Sequence, residues 1–396
     1  MKIVLVADTF PPFRSSGAVQ LRDLAREFVR QGHQLTVLLP DARLNQAWTL
    51  ESFDGAQVLR LRSPRIKEVG YLRRTFGEWL MPYAMRRNLR RSPLAGQHWE
   101  GIVWYSPSIF HGPLVRALKQ RSCCRGYLII RDIFPEWAVD IGLLRLNLVY
   151  YFFRWIARQQ YEVADIIGVQ SPGNLGYFWQ WQQARRGRSL QVLQNWLGKP
   201  GCARCPIRIE ETLIAGRTIF VYAGNMGIAQ GMDILLNLAS RMQVRNDIGF
   251  LFVGRGNDAG RLKKTAAALG LDNVVFHDEI DPDEIPDLYA QCSAGLIALD
   301  ARHNSHNIPG KFLTYIQNRL PVLASVNPGN DLANLIRREG VGEVCETDCL
   351  DQLEQCCCSL IDRLSADPLL GDRCISLFER QFSVSSTVQQ IVSSLD

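Results

Sequence analysis

The sequence predicts an α/β protein built from two doubly wound, Rossmann-like domains that face a cleft, and three observations lead to this fold class. Short apolar strands alternate with amphipathic helical segments, and the alternation runs through each half of the chain. A segment with several Gly and Pro residues separates the halves. The 396 residues are 47% hydrophobic and 21% charged, a globular composition long enough for two domains.

The first half opens with the apolar strand KIVLVAD and a helix whose apolar residues share one face. Gly32 follows as the helix stop signal. Further strands are predicted at HQLTVLL, GIVWYS, GYLIIRD and ADIIGVQS. Short strands between helical segments are typical of βαβ units around a parallel sheet, so we predict the first domain over residues 1–196.

The second half repeats this pattern, with strands at IFVYAG, GFLFVG, NVVFHD, AGLIAL and PVLAS. Helices are expected near residues 231–242, 258–269, 283–291, 311–318 and 329–338. We predict a linker over 197–217, a second domain over 218–373, and a terminal helical segment over 374–396 that packs back on the first domain. Ligands of open α/β sheets bind beyond the carboxyl ends of the strands, so the expected site is the cleft.

The two halves differ in charge. Residues 1–196 carry 27 Lys and Arg against 14 Asp and Glu, whereas residues 197–396 carry 18 against 25. A basic first half indicates a partner with negative charge, and both nucleic acid and an anionic membrane surface fit.

The cellular compartment is predicted from the cysteines and the first residues. The 11 cysteines are an odd number without a disulfide framework, which indicates reduced thiols. The opening MKIVLVADTF has an apolar run, but Asp8 follows at once without a small-residue cleavage site. We therefore expect a cytoplasmic protein.

Glycines and cations follow three predicted strands of the second half. Gly224 and Gly227 follow the first strand, Arg255 lies between two glycines after the next, and the pair Gly310 and Lys311 opens a helix. Glycines let the backbone approach a ligand, and helix N-termini favour phosphate, so these loops predict an anion site. Neither a Walker P-loop nor GxGxxG after the first strand is present, which argues against ATPase chemistry and nicotinamide binding.

Four segments of the second half follow in order: VYAGNMGIAQGMDILLNLA, FLFVGRG, NVVFHDEIDPDEIPDLYAQCSAGLIAL and IPGKFLTYIQNRLPVLAS. The first half contributes VLVADTFPPFRSSGAVQLRDLAREFVRQGHQLTVL. In this order they resemble the family 4 retaining glycosyltransferases of the GT-B fold, over nearly the whole chain. RDIFPEWAVDIG and YEVADIIGVQSPGN are similar to a bacterial subset that adds N-acetylfucosamine-type or related sugars to lipid-linked surface polysaccharide precursors, such as those of O-antigen or capsule.

The resemblance implies a metal-independent, hexosyltransferase-type enzyme without a cofactor. A nucleotide-diphosphate sugar, with UDP favoured, would be the donor substrate, held mostly by the second domain, and a lipid-linked glycan precursor would be the acceptor, held by the first. The expected donor-binding residues are Gly17, Gly224, Asn225, Gly227, Gln230, Arg255, Gly310, Lys311 and Thr314. Lys311 is also expected in catalysis, because stabilisation of the charge on a leaving diphosphate is usually the largest catalytic contribution.

The chain departs from the family pattern in its acidic pair, which maps to His306 and Thr314. The second acid of the family accepts hydrogen bonds from the donor ribose, whereas Thr314 carries no charge. The broader family has Arg and Lys at the positions of Asn225 and Gln230, although the bacterial subset has Asn and Gln there.

Residues of the first domain are also candidates. Asp132 and Glu136 end a predicted strand, and we expect them to be catalytic or to bind the acceptor, with capping of the next helix as the alternative. Gly17 is expected between the first strand and the first helix, where backbone amides could face the donor. His111 is interpreted as a packed loop residue.

The stretch Tyr71 to Ser92 carries two Arg clusters interleaved with apolar and aromatic residues, typical of contact with an anionic membrane. No nucleic-acid reader motif accompanies it, so nucleic acid is not the expected partner. We expect the Arg73–Arg91 region to dock the protein on the inner face of the plasma membrane, with Trp79, Leu80 and Met81 inserted. The apolar segment LLRLNLVYYFFRWIARQQY is too short to span a bilayer.

Two other functions remain open at the level of sequence. A nucleotide-sugar 2-epimerase could have the same fold and would not need a membrane face. A degenerate, non-catalytic member could bind a glycan precursor, and the absence of an acid at position 314 favours it.

Overall fold

The computed structural model of the chain describes residues 1–13, 15–66, 69–140, 142–227, 230–299, 308–347 and 349–396. The chain forms two compact units. Unit 1 comprises Met1–Gln194 and Val384–Asp396, and unit 2 comprises Asn195–Ser383. Each unit contains a parallel or mainly parallel sheet with helices on both faces, which confirms the predicted α/β fold of two Rossmann-like domains.

The described residues of unit 1 form eight strands: β1 (Lys2–Val6), β2 (Gln34–Asp41), β3 (Trp48–Phe53), β4 (Ala56–Arg62), β5 (Gly101–Tyr105), β6 (Arg125–Ile129), β7 (Ile166–Val169) and β8 (Ser189–Val192). They form one sheet in the order β3-β4-β2-β1-β5-β6-β7-β8. The edge strand β3 pairs antiparallel with β4, and the other pairs are parallel.

The helices of unit 1 are α1 (Ser16–Arg30), α2 (Tyr71–Leu89), α3 (Gly112–Ser122), α4 (Glu136–Asp140), α5 (Leu148–Val163), α6 (Trp179–Gln183) and α14 (Val384–Leu395). One core contains Val4 and Leu128 of the sheet with Met81, Leu114 and Ile156 of α2, α3 and α5. These three helices therefore cover one face of the sheet. Helices α1 and α14 contact each other, and α14 also contacts β6.

Within the part of unit 2 that the structure describes there are six strands: β9 (Thr218–Ala223), β10 (Ile248–Val253), β11 (Val274–His277), β12 (Ala294–Ala298), β13 (Val322–Ser325) and β14 (Gly342–Cys345). They form a parallel sheet in the order β11-β10-β9-β12-β13-β14. The helices are α7 (Asp233–Arg241), α8 (Ala259–Ala268), α9 (Ile285–Tyr289), α10 (Gly310–Gln317), α11 (Asp331–Glu339), α12 (Leu350–Ala366) and α13 (Leu370–Gln381).

The two faces of the second sheet bury alternate residues of the same strands, as the period of two requires. Val221 and Leu251 pack with α9, α10, α11 and α13. Phe220 and Phe250 point to the other face and pack with α7, α8 and α12. The strands are therefore apolar throughout, which made them recognisable in the sequence.

Two segments lie elsewhere than the sequence indicated. Residues 197–217, predicted as a linker, belong to unit 2, because Cys205, Ile207 and Ile214 are buried in its core. The predicted terminal segment 374–396 is divided: its first part completes α13 in unit 2, and α14 belongs to unit 1.

Helices α2 and α5 expose apolar side chains to solvent. Leu72, Phe76, Trp79 and Tyr83 are exposed along one stripe of α2. The prediction that Met81 inserts into a membrane is wrong, since Met81 is fully buried against the sheet. Helix α5 and the residues before it expose a second set: Leu143, Leu146, Leu148, Val149, Tyr151, Phe152 and Trp155.

In the part of the chain that the structure describes, no helix has the length and apolarity needed to cross a bilayer.

Candidate functional site

A cavity of ≈ 400 Å³ opens in unit 2 where β9 and β10 end and α10 begins. Strand β9 pairs with β10 on one side and β12 on the other, so the cavity lies at the switch point of the sheet, where open α/β sheets bind ligands. Five predicted donor-binding residues line it: Gly224, Asn225, Arg255, Lys311 and Thr314. Ile280, Pro282, Ile285 and Tyr289 form an apolar wall.

The glycines after β9 and β10 allow the two loops to lie in contact. Gly224 and Gly254 have φ of 139° and 143°, a backbone region that favours glycine. A Cβ atom on Gly254 would lie 2.0 Å from the carbonyl oxygen of Gly224. The Gly224 amide donates to Val253 O at 2.8 Å, and the Met226 amide donates to Arg255 O at 2.7 Å. Main-chain pairing therefore continues beyond the strands and holds the two loops at the cavity edge.

Lys311 lies in the first turn of α10 and reaches under the loop of Gly224. A Cβ atom on Gly224 would lie 2.8 Å from Lys311 Cε, so glycine leaves the space that the lysine fills. Among the described residues, no carboxylate pairs with the Lys311 ammonium group. Burial lowers the pKa of Lys311 to about 8, because a desolvated ammonium loses hydration. The site thus holds a cation that lacks a protein counterion in the described structure.

Arg255 differs from Lys311 in its surroundings. Its side chain is 80% exposed, and its Nε lies 2.9 Å from Glu279 Oε2. An exposed, paired guanidinium at a cavity edge contributes little to stability and can exchange its partner for a ligand anion.

The three remaining polar candidates form local hydrogen bonds. Thr314 Oγ1 donates to the carbonyl oxygen of Lys311 at 2.9 Å, so its hydroxyl is engaged within α10. Gln230 Oε1 accepts from the amide of Gly227 at 3.0 Å and lies 3.3 Å from Asn225 Nδ2. Gln230 and Gly227 therefore shape the loop beside the cavity. Gly310 is the exposed first residue of α10.

The predicted first-domain residues belong to unit 1. Gly17 lies in the first turn of α1 rather than in the preceding loop, and Ser15 caps that helix by accepting from the Ala18 amide at 3.3 Å. Asp132 follows β6, and partial desolvation raises the pKa of its carboxyl group. Glu136 is the first residue of α4, with its Oε1 4.0 Å from Arg154 Nε.

His111 is fully buried, as the packed-loop interpretation predicts, and desolvation lowers its pKa to about 4. His306 lies outside the described residues.

Sequence reasoning missed three residues of the second-unit site. Tyr222, on β9, places its ring beside Lys311 and donates its hydroxyl to Asn225 O at 2.6 Å. Tyr315 is buried and donates to Val221 O at 3.1 Å, which fixes α10 to the sheet. Glu279 places a carboxylate in the cavity wall. Tyr222 falls within a predicted strand and Tyr315 within a predicted helix, and neither these tyrosines nor Glu279 belongs to a motif that indicates a ligand.

The cavity combines a desolvated ammonium, an exchangeable guanidinium and an apolar wall. This combination suits a ligand with an anionic group at one end and a flat apolar group at the other. No group of three or more His, Cys, Asp or Glu side chains among the described residues could hold a metal ion.

The residues that line this cavity lie within a part of the chain that matches a protein-family model. Residues 206–354 match the family model of glycosyl transferases group 1. The chain is 25% identical to the probable glycosyltransferase WbjE of Pseudomonas aeruginosa over 230 residues, 55% of each protein. It is also 24% identical to WcaI of Escherichia coli (strain K12), which is named as a colanic acid biosynthesis glycosyl transferase. This second match covers 64% of the chain and 62% of WcaI. The chain thus matches 55–62% of the length of these relatives.

Solved structures share the fold at low identity. The crystal structure of WaaG, a glycosyltransferase involved in lipopolysaccharide biosynthesis, superposes with a TM-score of 0.59 at 15% identity, covering 99% of both chains. HepE of Anabaena in complex with UDP and glucose gives 0.61 at 16% identity, covering 100% of this chain and 99% of HepE. These likenesses confirm the GT-B fold class, and the match to the group 1 glycosyl transferase family model covers residues 206–354.

Proposed function

We propose that the protein is a retaining glycosyltransferase that moves a sugar from a nucleotide-diphosphate donor, with UDP-sugar favoured, to a lipid-linked precursor of a surface polysaccharide. The observation that carries this proposal is the position of Lys311. Its ammonium is desolvated, lacks a carboxylate partner among the described residues, and lies under the glycine loop at the switch point of a sheet in the family-matched region.

A buried ammonium without a counterion is costly unless a ligand supplies the opposite charge. A nucleoside diphosphate does so and gains charge when the bond to its sugar breaks. A fixed cation beside the leaving diphosphate stabilises that charge without reorganisation. Lys311 can therefore act both in binding and in the departure of the nucleotide, and the proposed mechanism is metal-independent because this cation takes the place of a metal.

The comparisons support the choice of donor and pathway. HepE, which shares the fold, was solved with UDP and glucose, and WaaG and WcaI are described by roles in lipopolysaccharide and colanic acid biosynthesis. The apolar wall of Ile280, Pro282 and Ile285 offers a surface for a base.

The lipid-linked acceptor is supported by the surface of unit 1. The N-terminal half of α2 exposes Leu72 at 90%, with Phe76 and Trp79 on the same stripe. Arg73 and Arg74 are exposed beside it, and Arg86, Arg87, Arg90 and Arg91 are exposed at the C-terminal end of the helix. Arginines beside exposed aromatic and aliphatic side chains fit the interface of an anionic bilayer.

Helix α5 adds a second exposed apolar surface. Leu148 is 87% exposed and Trp155 is 54% exposed, and residues 141–161 contain three Arg and no Asp or Glu. Monomeric soluble proteins rarely leave such patches uncovered. Helices α2 and α5 pack on the same face of the sheet. Helix α2 comes after β4, and helix α5 comes after β6 and α4; both strands end at the carboxyl edge of the sheet. We propose that both helices dock on the inner face of the plasma membrane.

Calorimetry with UDP tests the proposed function. Wild-type protein should bind UDP, and Lys311→Met should weaken binding by about 1.5–3 kcal/mol, the contribution of a charged hydrogen bond. Arg255→Ala should cost less than about 1 kcal/mol because this side chain is exposed and paired. Lys263→Met, which removes an exposed lysine paired with Asp278, is the matched control. Equal UDP affinity in wild type and Lys311→Met contradicts the proposal.

A second candidate is a non-catalytic member that binds nucleotide-sugar without transfer. The observation in its favour is Thr314, whose hydroxyl is engaged with Lys311 O. A turnover assay distinguishes the two functions, with the acceptor supplied by a membrane extract from a bacterium that makes the surface polysaccharide. A transferase releases UDP from the UDP-sugar in this assay, whereas a binding protein does not.

A further inference from the structure

An acidic side chain, Glu279, lines the same cavity as Lys311. Strand β10 pairs with β11, with Val253 opposite His277. Arg255 and Glu279 each lie two residues beyond this pair, which brings their side chains together across the two loops. Arg255 Nε lies 2.9 Å from Glu279 Oε2. Among the described residues that line the cavity, Glu279 alone bears a carboxylate.

A carboxylate in a cavity that binds an anion requires an explanation, because like charges repel. Three acids of the same loop have structural partners: Asp278 pairs with a lysine of α8, and Asp281 and Glu284 form the capping box of the turn that follows. The pair of Glu279 with Arg255 is different, since the two side chains are 53% and 80% exposed. Such an exposed pair contributes little to stability, so a structural role alone does not account for Glu279.

Glu279 lies between the two ends of the cavity. Its neighbour in the chain, Ile280, begins the apolar wall, and its ion-pair partner Arg255 belongs with Lys311 to the cationic end. In a nucleoside diphosphate, the ribose is bonded to both the base and the diphosphate. With the base on the apolar wall and the diphosphate at the cations, as proposed above, the ribose therefore lies beside Glu279.

We infer that Glu279 selects a ribonucleotide by accepting hydrogen bonds from the two ribose hydroxyls, an inference that rests on the proposed function. A carboxylate has two accepting oxygens and no donor, which matches two adjacent O–H groups. Thr314 lines the same cavity but carries no charge, and its hydroxyl donates to Lys311 O at 2.9 Å. The diphosphate draws Arg255 away from Glu279, so nucleotide binding exchanges one exposed ion pair for two contacts with the ligand.

Calorimetry on the full chain with UDP and with 2′,3′-dideoxy-UDP tests the inference. Wild type should bind UDP about tenfold or more tightly than the dideoxy nucleotide, which lacks both hydroxyls. Glu279→Ala should bind the two nucleotides with equal affinity. Arg255→Ala should keep the preference for UDP, because its carboxylate partner is then free to meet the hydroxyls. Asp278→Ala removes the adjacent exposed carboxylate and is the matched control, which should also keep the preference.

Inorganic pyrophosphate separates this role from a purely structural one. It should bind Glu279→Ala at least as tightly as wild type, because a nearby negative charge is removed. A glutamate that only orients Arg255 predicts instead that Glu279→Ala weakens all three ligands alike and keeps the preference for UDP, and this result overturns the inference.

Equal affinity of wild type for UDP and the dideoxy nucleotide also overturns the inference, as does loss of the preference in Arg255→Ala. In these cases UDP binding that depends on Lys311 leaves the proposed function standing. A wild-type protein that does not bind UDP contradicts both.

Discussion

The ammonium nitrogen of Lys311 lies 4.7 Å from the centroid of the Tyr222 ring. The lysine comes from the start of α10 and the tyrosine from β9, so the contact joins the two elements that form the cavity. The face of an aromatic ring attracts a cation and offsets part of the cost of its desolvation. The charge is thus held in place without being neutralised and remains available to a ligand anion.

UDP binding should depend on pH above about 8. Burial lowers the pKa of unliganded Lys311 to about 8, and a bound diphosphate should raise it, so binding takes up a proton above this pH. The affinity for UDP should be highest at pH values below the pKa of unliganded Lys311 and should fall by up to about tenfold per pH unit above it. Calorimetry measures how UDP affinity depends on pH, over a range of about pH 7 to pH 9.5 that brackets this pKa. Lys311→Met should bind weakly at every pH, and a wild-type profile as flat as that of the variant would contradict the prediction.

The contact between the strand-end loops should not tolerate a side chain at position 254. Gly254→Ala places a methyl group 2.0 Å from Gly224 O at a φ of 143°, so overpacking and backbone strain should together lower the free energy of unfolding by about 2–5 kcal/mol. Chemical denaturation measures this. Gly260→Ala is the control, because Gly260 lies in α8 and a Cβ atom added there would have no atom within 4 Å other than those of its chain neighbours and its own helix backbone. This change should be neutral or stabilise by up to about 1 kcal/mol.

Thr314→Glu should give equal or tighter donor binding if the cavity binds a nucleotide. Thr314 lines the cavity one helical turn from Lys311, and a carboxylate there could accept from the ribose hydroxyls. Thr314→Val, which removes the hydroxyl without adding charge, is the control. Calorimetry with UDP distinguishes the outcomes: a folded Thr314→Glu protein that no longer binds would favour the non-catalytic function.

Unit 1 should bind anionic vesicles in a salt-dependent manner. Each arginine near such a surface contributes about 1 kcal/mol, and the attraction weakens as salt shortens the screening length. Gln substitution of Arg73, Arg74, Arg86, Arg87, Arg90 and Arg91 should release the protein in a sedimentation assay while UDP binding persists.

Two further variants assign the apolar part of the contact. Leu148→Ser with Trp155→Ser should weaken binding to vesicles at high salt, where burial of apolar side chains dominates. Gln substitution of Arg337 and Arg338 on α11 removes charge from unit 2 and should leave vesicle binding unchanged. A wild-type protein that stays in the supernatant with anionic vesicles at low salt would exclude membrane docking.

Much of the fold could be predicted because buried parallel strands are continuous apolar runs, as β10 is in Ile248–Val253. The second-unit site could be predicted in part for a related reason. Loops after parallel strands meet at one edge, which brought Gly224, Arg255 and Lys311 to one cavity.

The remaining features depend on packing that local sequence does not determine. Residues 197–217 have the composition of a linker, yet the apolar side chains between their Gly and Pro residues fill the core of unit 2. Gly77, Met81 and Met85 recur every four residues, a helical spacing that marks the buried face of α2, but the surrounding aromatic residues obscured it. Pairs such as Arg60 with Glu51 depend on the strand register between β3 and β4, which composition does not reveal.

Unit 1 incorporates α14, although the whole of unit 2 intervenes in the chain. Gln390 Nε2 donates to Val192 O at 2.9 Å, and Arg125 Nη1 donates to Ser394 O at 2.6 Å, so both contacts close onto strands made much earlier. During synthesis on the ribosome, the face of the first sheet that α14 covers therefore stays exposed until residues 195–383 have been synthesised. A nascent chain paused within unit 2 would present that uncovered face to chaperones, and unit 1 could complete its packing only after residues 195–383 have been synthesised.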